Sequence, residues 1–124
     1  MSAIAVRRGS TSTRTSDPCY VDIEVYAPVR YTSSTVPYTT YASASTYVEV
    51  GDQCSSSTLV VVELERSYGG SDWRVRDTDV VSDAPGGAGR VATAQDACNS
   101  LTGSYAWRNV TKSVNTISTW LTCS

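Results

Sequence analysis

The chain has 124 residues, a net charge of −2, four cysteines and no histidine. That length suits one domain with a real core, and no apolar run approaches the roughly 18 residues that a membrane-crossing helix needs. The missing histidine excludes serine-histidine-aspartate hydrolase triads and most zinc centres.

Residues 1–16, MSAIAVRRGSTSTRTS, hold Arg7, Arg8 and Arg14 with no acid, whereas the remainder carries seven basic and twelve acidic side chains. The segment lacks an apolar signal-peptide region, so Met1 reads as the start of an expressed mature form. Its Ser/Thr-rich composition predicts an arm over residues 1–18, extended or disordered when alone. Ala3, Ile4, Ala5 and Val6 beside two arginines suit a peptide that adds to a strand edge or fills a cleft.

From Cys19 onward the dominant period is two. In CYVDIEVYAPVRY, Val21, Ile23, Val25 and Ala27 share one face and Tyr20, Asp22, Glu24 and Tyr26 the other, predicting a half-buried strand that ends near Pro28. A Tyr/Thr/Val-rich strand follows over Val36 to Val50, closed by the turn residues Gly51-Asp52. STLVVVELERSY places Val60, Val62 and Leu64 against Val61, Glu63 and Glu65 and is the best central strand. After Gly69-Gly70-Ser71, DWRVRDTDVV sets Trp73, Val75 and Asp77 against Arg74, Arg76 and Thr78. Beyond the Pro85-Gly86-Gly87 breaker, strands are expected at Arg90 to Ala97, Ser104 to Val114 and Ile117 to Cys123, with ATAQDACNSL as an alternative helical turn. Seven short strands without a convincing helix predict an all-β, immunoglobulin-like antiparallel sandwich over residues 19–124.

Four cysteines permit three pairings. Cys19 with Cys54 and Cys98 with Cys123 is the favoured one, because each pair brackets two consecutive strands. Their spacing does not suit clustered zinc ligands, and the absence of CxxC argues against redox work. Structural bridges imply an oxidising, extracellular setting and a secreted protein.

Other candidate chemistry is sparse. Glu63 and Glu65 share a strand face at about 7 Å, yet a solvated face explains them more simply than paired-carboxylate catalysis. Asp77, Asp79 and Asp83 lack the spacing of a known calcium loop. Tyr26, Tyr31, Tyr38, Tyr41, Tyr47 and Tyr68 could stack on sugar rings or simply favour strands. Trp73, Trp107 and Trp120 read as core plugs. The acidic folded part would repel phosphate, which argues against nucleic acid. Asn109-Val110-Thr111 is a glycosylation sequon that matters only on a eukaryotic secretory route. The residues therefore predict no enzyme, no cofactor and no metal, and leave an interaction module.

CSSSTLVVVELERS, GSDWRV, DACNSLTGSYAWRNV and WLTC together resemble a family of small secreted actinobacterial disulfide-linked β-proteins, over about residues 20 to 123. Within that family, a short domain with a basic N-terminal arm is similar to the small adaptor (B component) subunits of the umbrella toxin particles of Streptomyces. The resemblance implies a non-enzymatic connector between a helical-repeat toxin subunit and a lectin subunit of trypsin-like fold, with the arm in the lectin's cleft. On this view Val6, Arg7, Arg8 and Arg14 are the partner contacts. A secreted protease inhibitor and a carbohydrate-binding module are the alternatives.

Overall fold

A computed structural model describes residues 3–8, 18–98, 104–113 and 117–123, the first and last of these ranges as backbone. Two sheets pack face to face. The first is built on β4 (Thr40–Val50), which pairs on one side with β2 (Tyr20–Val25) and β3 (Val29–Thr32) and on the other with β7 (Arg90–Ala97). β1 (Ala3–Arg8) lies parallel along the outer edge of β2. The second sheet runs in the order β6 (Trp73–Asp83), β5 (Thr58–Tyr68), β8 (Tyr105–Lys112) and β9 (Ile117–Cys123), every pair antiparallel. The chain crosses to the second sheet after β4, returns for β7 and crosses again for β8, an immunoglobulin-like path.

Local chemistry accounts for the breaks. β2 and β3 flank the same side of β4, with Val25 opposite Thr46 and Val29 opposite Ser43. Between them stands Pro28, which has no N–H to give a ladder, so the strand is interrupted there and resumes rather than ending. A bulge in the β5–β6 pairing, with Leu64 opposite Asp77 but Glu65 opposite Val75, inserts Arg76 as an extra residue. It also separates the faces that simple alternation would join: Trp73 and Val75 share the outward register of Glu65, whereas Asp77 shares that of core-facing Leu64. Residues 92–97 belong to β7 and are not helical.

The core divides into two clusters. Val21, Ile23, Val25, Val48, Val50 and Val60 fill the end beside the Cys19–Cys54 bridge. At the other end Ala42, Ala44, Ala92 and Ala94 of the first sheet leave room for Leu64 and Trp107 of the second. Small residues facing large ones let the sheets close to native density. Trp107 is wholly buried and its Nε1 donates to Asp96 at 3.0 Å. By contrast Trp73 is half-buried and lies under the Arg108 guanidinium, 4.2 Å from its ring centroid, while the Trp120 side chain is outside the described residues.

The Cys19–Cys54 disulfide is present, with an S–S distance of 2.09 Å across a separation of 35 residues. Closing a loop of that size restricts the unfolded chain by about 3 to 4 kcal/mol. Cys98 is buried at the end of β7, its amide donating to Thr40 O at 2.8 Å. Cys123 ends β9 opposite Tyr105, and its side chain lies outside the described residues, as does any pairing of Cys98 with Cys123.

Candidate interaction edge

β1 and β2 form the one parallel pair among the described residues, and its register decides which positions meet which. Ile4 and Val6 are paired with Val21 and Ile23, both core-facing, while Ala5 and Arg7 are paired with Asp22 and Glu24. Arg8 pairs with Val25. Val6, Arg7 and Arg8 thus fall at an edge of the first sheet, and Arg14 lies outside the described residues.

The face beside that edge is acidic and ringed by phenols. Asp22 and Glu24 of β2 stand opposite Glu49 and Tyr47 of β4. Tyr47 Oη donates to Glu49 Oε1 at 2.5 Å and Tyr20 Oη to Glu49 Oε2 at 3.3 Å, so both oxygens of one carboxylate are engaged. Tyr26 Oη donates to Glu24 Oε1 at 2.6 Å. The hydrogen bond to Glu49 pushes the Tyr47 phenol above its ordinary range, with burial and the charges of Glu49, Asp22 and Glu24 adding in the same direction. β1 places the Arg7 position one strand spacing, about 4.8 Å, from the Glu24 position. Opposite charges across adjacent strands favour that register.

The far edge of the same sheet is closed by side chains. Asp79 Oδ2 accepts from Thr93 N and Asp77 Oδ2 from Gln95 N, each at 2.9 Å, so carboxylates of β6 occupy N–H groups that the edge strand β7 would otherwise offer. Asp83 accepts from Val50 N at 2.9 Å and ties the end of β6 to the end of β4. These three aspartates therefore work as acceptors for backbone, and the described residues contain no group of three His, Cys, Asp or Glu suited to holding a metal ion.

Glu63 and Glu65 are each paired with a β8 cation: Lys112 Nζ lies 2.8 Å from Glu63 and Arg108 Nη2 2.7 Å from Glu65. The tyrosines do not form one row. Tyr31 stacks on Tyr41 at 6.4 Å, Tyr68 tilts against Tyr105 at 5.1 Å in the second sheet, and Tyr47 belongs to the acidic face. Asn109, the sequon asparagine, is fully buried and donates to the Tyr26 and Ser45 carbonyls, so the folded domain offers it to no glycosyltransferase. Among the described residues no helix is long and apolar enough to cross a membrane.

Sequence reasoning singled out the arginines of the arm and missed their counterpart. Asp22, Glu24 and Glu49 come from two strands, and only the β2–β4 register brings them together. The signal was present as acids on the polar positions of YVDIEV and TYVEV, but pairing was needed to read it. No family model, curated protein sequence or solved structure matches the chain.

Proposed function

We propose that the protein is a secreted, non-enzymatic binding protein that joins other subunits of an extracellular assembly through its N-terminal segment. The single observation that carries this reading is the position of β1: a short basic strand laid parallel on the edge of β2, at the opposite side of the sheet from the edge that Asp77 and Asp79 close. Such a strand is held largely by main-chain hydrogen bonds. Moving it from β2 to a partner's cleft exchanges one set of those bonds for another, which keeps the net cost small.

The resemblance to umbrella toxin adaptors extends this reading to specific partners: a lectin subunit of trypsin-like fold that receives Val6, Arg7, Arg8 and Arg14, and a helical-repeat toxin subunit that binds the sandwich. A cleft of that fold offers a strand edge and a side-chain pocket, to which an extended Arg-bearing peptide is suited. The disulfide supports an extracellular location, because such bridges persist in oxidising compartments.

The test is co-purification of the full chain and of a chain lacking residues 1–16 with purified lectin and helical-repeat subunits of such a particle. The expected result is that truncation abolishes lectin capture and leaves the circular dichroism of the sandwich and the capture of the repeat subunit intact. Equal lectin capture by both forms would overturn the arm mechanism. Stoichiometric inhibition of trypsin, without subunit bridging, would favour the inhibitor instead.

A further inference from the structure

The second sheet has a feature unrelated to the arm. At the β5–β6 hairpin end its inner surface forms an open cleft of about 360 Å³, lined by Arg66, Tyr68, Asp72, Arg74, Arg76 and Tyr105. That volume is within the range of about 300–1,000 Å³ typical of small-ligand sites. Arg74 and Arg76, two residues apart, line the same cleft, and the bulge at Leu64/Glu65 leaves Arg76 as the extra, unpaired residue of β6. Bulges of this kind re-aim side chains and recur beside functional sites.

Three guanidiniums here share two carboxylates. Arg66 Nη1 lies 3.2 Å from Asp96 Oδ2 and Arg76 Nε 3.5 Å from Asp96 Oδ1. Arg74 meets Asp72 at 3.3 Å, with both side chains more than 70% exposed. An ion pair that open to water is weak and readily exchanged. Each guanidinium has five N–H donors in a planar fork, so these contacts leave most of the donor capacity to the cleft. Arg66 is also fixed over the Tyr105 ring, 5.3 Å from its centroid. Tyr68, about two-thirds exposed, leans on Tyr105 and presents ring and hydroxyl to solvent.

We propose that this cleft binds a single carboxylate-bearing sugar residue, of the uronic acid class, on an otherwise neutral glycan. The carboxylate takes the forked donors of Arg74 and Arg76, displacing Asp72 from Arg74, and the sugar ring lies against Tyr68. The cleft is a local excess of one positive charge on a domain that is acidic beyond residue 16. A polyanion would meet further repulsion on leaving the cleft, whereas a lone carboxylate needs only the local positive excess left after Asp72 and Asp96 are counted.

The experiment is amide-shift NMR titration of the 124-residue chain with D-glucuronate, with glucose, which has a hydroxymethyl group in place of the carboxylate, and with N-acetylglycine, which carries a peptide-like carboxylate without a sugar. Saturable shifts confined to residues 66–76 and 104–107 are expected with glucuronate, and none with the other two. Arg76→Gln and Tyr68→Ala are each expected to weaken glucuronate by about tenfold, the loss of one charge-assisted bond or one stacked ring, with amide spectra otherwise unchanged. Equal response to glucose would show that the arginines are not read, and equal response to N-acetylglycine would show that no sugar is recognised. Glucuronate shifts that map elsewhere, or none at all, would also overturn the proposal.

Discussion

Asn109 of β8 shares its two Nδ2 hydrogens among three acceptors at 3.1 Å, the Tyr26 and Ser45 carbonyls and Thr46 Oγ1 of β4, and the bond to Thr46 is one side of a closed ring across the core. Thr111 Oγ1 donates to Asn109 Oδ1 at 2.8 Å, which uses its only proton. Thr46 must then donate to Thr111, 2.8 Å away. All three residues are buried, so the ring spans both sheets without water. Removing Asn109 takes a donor from the Tyr26 carbonyl and from Thr46 Oγ1 and takes the acceptor from the Thr111 hydroxyl proton, whereas the Ser45 carbonyl keeps the Tyr26 N–H at 3.2 Å. Asn109→Ala is expected to cost about 2–4 kcal/mol in urea denaturation. Thr46→Val and Thr111→Val together should cost less than the sum of the single changes, because the second removes a group the first left unpaired. Strict additivity would show that the ring is not a unit.

The carboxylates on the β7 edge predict a change in association. Asp77→Ala with Asp79→Ala uncovers the N–H groups of Thr93 and Gln95. Exposed edge N–H groups recruit other strands. Analytical ultracentrifugation should show concentration-dependent self-association of the double variant that the parent lacks. Identical sedimentation would mean that the edge is protected by something other than these side chains.

Tyr47 gives a pH signature. Its phenol is raised above the usual value of about 10, so the folded state binds that proton more tightly than the unfolded chain does. The associated stability is fully present below about pH 10 and is lost as pH rises beyond it. Ultraviolet titration should find one phenol ionising later than the rest. Glu49→Ala should bring it back toward the others, because it removes the acceptor whose hydrogen bond is the largest cause of the shift.

A second bridge is expected between Cys98 and Cys123. Cys98 packs in the cluster that Tyr105 covers, and Tyr105 is the register partner of Cys123, so both cysteines lie at one end of the sandwich. Intact mass under non-reducing conditions should be lower than the reduced mass by the hydrogens of two bridges, and peptide mapping should link these two cysteines. A single bridge, with two alkylatable thiols, would refute it.

Much of the sandwich was legible because a two-sided strand writes its burial as alternation. Val21, Ile23 and Val25, and likewise Val60, Val62 and Leu64, are all buried as their spacing required. The Cys19–Cys54 pairing followed from the same logic, since two consecutive strands return their far ends to one place. Three features were not legible for one reason: they depend on pairing, not on local pattern. Pro28 marked a break, yet only the β4 ladder shows that the strand resumes at Val29. The bulge that frees Arg76 is invisible until β5 and β6 are aligned. Trp73 and Trp107 look equivalent in sequence, but one lies on the outward register beneath Arg108 and the other fills the core.

The staple at Cys19 has a mechanical meaning. Once β1 has left β2, tension on the first 18 residues enters the sandwich at that sulfur, directly before β2, and passes through Cys54 to the far side of the β2–β4 pair. Pulling at the tail therefore cannot begin by unzipping β2 from its neighbour at that end. A tether anchored this way can be tugged or exchanged while the body that carries it keeps its shape.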